Sequence, residues 1–193
     1  MKDFSQNFSN LTEILCFIHE TSLGQSVLEQ LKLFHQKHPV QIKPYPPSLT
    51  RETEPVLGAL FVTDGQVGTI YIQPSQPLGL IIPFLFHEII HCLDETLWRA
   101  ARMKLPPTQK RNVLFNAECK AYHAQNLFLC ELKVLYPELP DFYQNHYPHL
   151  SCLHRALAPY EVADLYGKAY RELVVPEPRE AGDAACTDEA SFR

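Results

Sequence analysis

Pro83-Phe84-Leu85-Phe86-His87-Glu88-Ile89-Ile90-His91-Cys92-Leu93 is the stretch on which the reading of this 193-residue chain turns. It closes the most apolar run of the sequence, Leu78 to Leu93. Pro83 suits the first turn of a helix, where a missing backbone N–H costs nothing. With Pro83, His87, Glu88 and His91 inside it, the run is too short and too polar to span a bilayer. It predicts a buried helix that continues to about Ala101, with Pro106 and Pro107 marking the break.

On a helix, residues four apart lie one turn apart on one face, so His87 and His91 present their imidazoles together. Two neutral imidazole nitrogens at that spacing can reach one tetrahedral metal. Glu88 follows the first histidine and points beside the metal. A carboxylate there can take a proton from a water that zinc has made acidic, with a pKa brought towards ~7. The helix is apolar nearly all round, so these three polar side chains are costly unless paired. The plain alternative is two satisfied core histidines with an exposed Glu88.

A catalytic zinc usually takes a third protein ligand and keeps one position open. Residues 110–135 predict the next helix, with Leu114, Ala117, Ala121, Ala124, Phe128, Leu132 and Leu135 as its apolar stripe. Glu118 lies on that stripe, 27 residues after His91, and a carboxylate turned inward needs a cation or a metal. Small Ala117 and Ala121 beside it allow close helix approach. Other candidates remain. Asp94 shares the His91 face and suits a role holding an imidazole. His123 lies about half a turn from Glu118. Tyr122 shares the Glu118 face and either donates to a developing oxyanion or packs. His146, His149 and His154 are oxyanion candidates or surface histidines. Asn116 and Gln125 read as structural.

Outward from the site, residues 9–20 predict a first helix capped by Ser9 or Asn10, and 25–37 a second one after Gly24, ended by Pro39. Val40 to Pro44 reads as a short strand. Val56–Thr63 and Thr69–Gln73 read as a hairpin around Asp64-Gly65-Gln66, with Pro74 and Pro77 making the second strand an edge. Residues 141–158 look irregular, 160–172 helical, and the Pro, Glu, Ala, Asp and Ser composition from Pro176 predicts a disordered tail. The fold class is α+β: one domain over 1–175, with a small antiparallel or mixed sheet of about three strands packed on the motif helix between helical N- and C-terminal parts.

Composition narrows the function. A hydrophobic fraction of 46% supports a sizeable core. A net charge of −5 without a Lys/Arg stripe argues against a nucleic-acid partner. No signal peptide opens the chain, and the six cysteines, scattered without a CxxC pair, read as free thiols. Together these predict a cytoplasmic protein with no membrane partner.

His87-Glu88-Ile89-Ile90-His91 with Glu118 on a following helix resembles the zincin metallopeptidases, and within them the gluzincins. The match covers roughly residues 56–135. The metzincin extension is absent after His91. The resemblance implies a zincin-like fold, a zinc ion (Zn2+) on His87, His91 and Glu118, Glu88 as general base, and a peptide or protein substrate. It also implies an edge strand before the motif helix, here Gly68 to Gln73, that aligns extended peptide. Expected activity is therefore zinc-dependent peptide hydrolysis with Glu88 and Tyr122 in catalytic roles. A non-catalytic zinc-held binding module and a hydrolase of non-peptide amides are the competing readings.

Overall fold

The computed structural model describes residues 3–8, 10–46, 58–73 and 76–146. Among these, six helices and a three-stranded mixed sheet make an α+β fold. The helices are α1 (Leu11–His19), α2 (Ser22–His35), α3 (Leu78–Leu93), α4 (Glu95–Arg102), α5 (Pro107–Leu135) and α6 (Leu139–His146). The strands are β1 (Val40–Pro44), β2 (Ala59–Thr63) and β3 (Gly68–Ile72).

Turn chemistry sets the hairpin. Asp64 Oδ1 accepts from the backbone N–H groups of Gln66 and Val67 at 2.7 and 2.8 Å, and Gly65 takes the left-handed φ of 87° that favours glycine. β2 and β3 then pair antiparallel, from Ala59↔Ile72 to Thr63↔Gly68. β3 is not the edge expected from Pro74 and Pro77. It is central, because its other side pairs in parallel with β1, Val40 opposite Gly68. Prolines beyond a strand's end remove no donor from its ladder, so they do not decide which strand is outermost. The edges are β1 and β2. β1 carries Lys43 and Pro44, which discourage further pairing, whereas β2 reads Ala-Leu-Phe-Val-Thr with neither charge nor proline.

α3 begins five residues earlier than expected, so Pro83 sits inside it. Proline cannot donate to the carbonyl four residues back, which is that of Gly79. The Tyr143 hydroxyl of α6 donates to that oxygen instead, at 2.8 Å, from a fully buried position. The N-terminal segment satisfies the start of α3: the Leu78 and Gly79 N–H groups bond to the Gln6 and Phe4 carbonyls at 2.8 and 3.0 Å.

The helix also ends sooner than Ala101. Asp94 is extended (φ −79°, ψ 96°), and its carboxylate accepts from the Thr96 N–H at 2.9 Å, starting α4. Trp98 Nε1 donates back to the Cys92 carbonyl at 2.7 Å and so occupies one of the last acceptors of α3.

Two further expectations shift, and the Asn10 cap holds. The second helix starts at Ser22, with Thr21 as cap, and takes Gly24 into its first turn. A Cβ there would lie 1.8 Å from the Ile18 carbonyl oxygen, so Gly24 marks a close approach of α1 and α2, not a break. Asn10 caps α1 through the Glu13 N–H. The segment expected to be irregular from 141 is helical to His146. His149, His154, the expected helix 160–172 and the tail from Pro176 lie outside the described residues.

The core forms where α3 is sandwiched. One side packs on β2 and β3, the other on α5, with α1 and α2 closing the flank. Ile81, Ile82, Leu85, Phe86 and Ile89 of α3 are fully buried. Phe86 stacks flat on Phe128 of α5, with ring centres 4.1 Å apart and planes within 6°. Small Ala117 and Ala121 are buried in the same seam. Among the described residues, Cys16, Cys92, Cys119 and Cys130 form no disulfide. Among the described residues no helix is long and apolar enough to cross a membrane.

Candidate metal centre

α3 and α5 run antiparallel along this seam. Phe86 meets Phe128, His87 meets Gln125, and His91 meets Glu118, so residue numbers rise on one helix as they fall on the other. The consequence is that the single carboxylate of Glu118 faces both imidazoles. His87 Nε2 lies 3.2 Å from Glu118 Oε2, His91 Nε2 lies 3.2 Å from Glu118 Oε1, and the two Nε2 atoms are 3.0 Å apart. Both histidines are 6% exposed, so water does not solvate this convergence freely.

Two imidazole nitrogens turned towards each other and towards a carboxylate can be held by a shared proton or by a metal ion between them. A tetrahedral zinc with bonds of about 2.0–2.1 Å separates its ligand atoms by roughly 3.3 Å. The observed separations are close to that, and His2Glu is a donor set suited to zinc with one position left over. Among the described residues, this is the group of histidines, cysteines and acids able to hold a metal ion. The site residues expected from the sequence, His87, His91 and Glu118, are thus brought together.

Tautomer matters for a histidine ligand. His87 Nδ1 faces the Gln125 Oε1 atom at 2.8 Å, and an amide oxygen only accepts, so Nδ1 carries the proton and Nε2 offers its lone pair inward. Gln125, expected from the sequence to be structural, is 1% exposed and fixes this imidazole through that bond. The signal was present in its spacing, seven residues from Glu118 and so on the same helix face. His91 Nδ1 is buried with no hydrogen-bond partner among the described residues. Asp94 does not hold that imidazole. It is committed to starting α4 and to Lys120 Nζ, 2.8 Å away.

Charge is distributed accordingly. Burial works to raise the Glu118 carboxyl, but hydrogen bonds and charge from His87 and His91 overcome it and hold the group down at about 2. Burial pulls His91 down, yet the bond to Glu118 and the charges of Glu118, Glu88 and Asp94 leave it above its usual value. Glu88 is the reverse case. Burial pushes its carboxyl up against the opposing pull of His87, His91 and the Phe61 N–H. Its Oε2 accepts from that N–H at 2.7 Å.

The direction of this last bond is informative. Gly58 and Gln73 bond across the hairpin, and residues alternate along an antiparallel pair, so the Phe61 N–H points away from β3 towards the free edge of β2. Glu88 thus sits at the boundary between α3 and the side of β2 that, among the described residues, pairs with no other strand. Tyr45, just past β1, also senses it. Burial first and the Glu88 charge second push the Tyr45 hydroxyl up to about 12, keeping it a neutral donor. Tyr122 packs edge-on against the His87 ring, with centres 4.5 Å apart and planes at 67°. His123 is not in the cluster, and its Nδ1 is buried with no hydrogen-bond partner among the described residues.

No protein-family model, no curated protein and no solved structure matches the chain.

Proposed function

We propose that the protein is a zinc-dependent hydrolase, and specifically a gluzincin-like metallopeptidase with a zincin-like arrangement of strand edge and motif helix. The observation that carries this reading is the convergence of His87 Nε2, His91 Nε2 and the Glu118 carboxylate at 3.0–3.2 Å from one another, next to a glutamate on the same helix. His87, His91 and Glu118 would hold the zinc. When bound, zinc lowers the pKa of water and polarises a carbonyl oxygen.

The remaining steps belong to the chain. Glu88 takes the proton from the attacking water and passes it to the leaving amine. Its burial raises its proton affinity, which brings a carboxylate closer to the pKa useful for a general base. The Phe61 N–H orients it. Gln125 keeps His87 in the tautomer that binds metal. Apart from the Phe61 N–H, which Glu88 occupies, the uncharged outer edge of β2 would supply the backbone partners for an extended peptide beside Glu88. This role moves from β3, where the sequence suggested it, to β2. Tyr122, against His87, is the candidate donor to the oxyanion.

Elemental analysis with a peptide-library digest tests the assignment. Glu88→Gln is expected to retain zinc and lose hydrolysis, and Glu118→Ala to lose zinc. Full activity in the first variant, or equal zinc in the second, overturns it. A wild type that holds zinc but cleaves neither peptides nor small amides would favour the second reading, a zinc-held binding module. In that case the Phe61 bond is the sole task of Glu88.

A further inference from the structure

No basic stripe runs along any single element, but the corner where α4 hands over to α5 gathers one. Arg99, Arg102, Lys104, Lys110 and Arg111 fall within thirteen residues with no acid among them, and all five are exposed. Among the described residues none of the five is ion-paired. Outside this corner the described residues hold twelve acids and five lysines, so the balance there is acidic. Helix stability does not explain the pattern. Arg99 and Arg102 suit the C-terminal end of α4, but Lys110 and Arg111 lie near the start of α5, where the helix dipole disfavours cations.

The corner's position relates it to the candidate site. The Arg102 stem lies over the β2–β3 turn, 2.2 Å from where a Cβ on Gly65 would sit. Arg111 is seven residues, or about 10 Å of helix, before Glu118. Along β2, Gly65 is four residues, or about 13 Å, beyond Phe61. An extended chain paired to the free edge beside Glu88 therefore runs into the basic corner four to five residues away.

We propose that this corner binds an acidic segment of the polypeptide substrate, making the protein selective for chains with a cluster of Asp or Glu a few residues from the cleaved bond. Antiparallel pairing, the more stable arrangement, puts that cluster on the N-terminal side of the bond. A short acidic stretch matches the patch in size. A nucleic acid or an anionic membrane would extend beyond it over an acidic surface, and the corner from Arg99 to Asn112 offers no aromatic side chain for base stacking.

The inference rests on the peptidase reading, and binding is measured apart from cleavage so that the two can fail separately. The full chain carrying Glu88→Gln, loaded with zinc, is titrated with fluorescent peptides bearing glutamates N-terminal to the centre, C-terminal to it, or replaced by glutamines. The N-terminal acidic peptide is expected to bind at least tenfold more tightly than the glutamine peptide, and less so as salt rises. Lys110→Glu with Arg111→Glu should abolish the difference. The milder pair Arg99→Gln with Lys104→Gln should reduce it, with zinc content unchanged in both. Equal binding of acidic and glutamine peptides overturns the proposal, as does a preference that survives both pairs of substitutions. Tighter capture of an oligodeoxynucleotide or of anionic-lipid vesicles than of the acidic peptide also overturns it. Acid-selective binding without hydrolysis by the wild type supports the corner while removing the peptidase reading. Hydrolysis at equal kcat/KM for acidic and neutral peptides does the reverse.

Discussion

Replacing Gln125 by leucine should weaken zinc binding by roughly 10–100-fold, although Gln125 is not itself a ligand. Leucine keeps much of the volume and removes the acceptor that now faces His87 Nδ1 at 2.8 Å. Both residues are buried, Gln125 at 1% and His87 at 6% exposure, so water cannot readily replace the lost partner. To bind metal through Nε2, His87 must keep its proton on Nδ1, and in the variant that N–H is left unsatisfied. A stranded buried donor costs about 1–3 kcal/mol. At about 1.4 kcal/mol per tenfold, that corresponds to the same one to two orders of magnitude in zinc dissociation constant. The assay is competition with a chromophoric chelator, with circular dichroism confirming that the helices remain. Gln125→Glu restores an acceptor and should recover most of the affinity. Wild-type zinc affinity in the leucine variant would refute the argument that this amide fixes the tautomer.

Tyr143→Phe removes the hydroxyl serving the Gly79 carbonyl that Pro83 leaves unpaired, and should cost about 1–3 kcal/mol in denaturant unfolding. In a Pro83→Ala background the new backbone N–H takes over that oxygen, so the same substitution should cost about 1 kcal/mol less; identical costs in both backgrounds would disprove the link. The metal-free protein should show a stability maximum on the acid side of neutrality. Glu118, held at about 2 against an ordinary 4.5, contributes stability above 4.5 that is lost as pH falls towards 2. His91, raised above 6.5, contributes stability below 6.5 that is lost as pH rises through its folded value. Zinc requires His91 neutral, so added zinc should move the maximum to higher pH, and Tm measured against pH with zinc and with chelator checks both.

Much of the site was legible in the chain because helical geometry is local. Four-residue spacing put His87 and His91 on one face whatever surrounded them, and the apolar stripe of residues 110–135 pointed Glu118 inward. The Asp64-Gly65-Gln66 turn fixed its hairpin through bonds within three residues. Gln125 went unrecognised because its meaning lies in which α3 residue comes opposite, and that depends on the antiparallel register locked by the Phe86–Phe128 stack. Pro83 misplaced the start of α3 because a tyrosine 60 residues later satisfies the carbonyl it strands.

Side-chain periodicity and turn preference were thus enough to establish an α+β chain with a histidine pair poised on a buried helix. Which strand lies outermost, which amide faces the first imidazole and where exposed cations gather were decided by tertiary structure. Each depends on partners distant in sequence, and only packing brings those partners within bonding range.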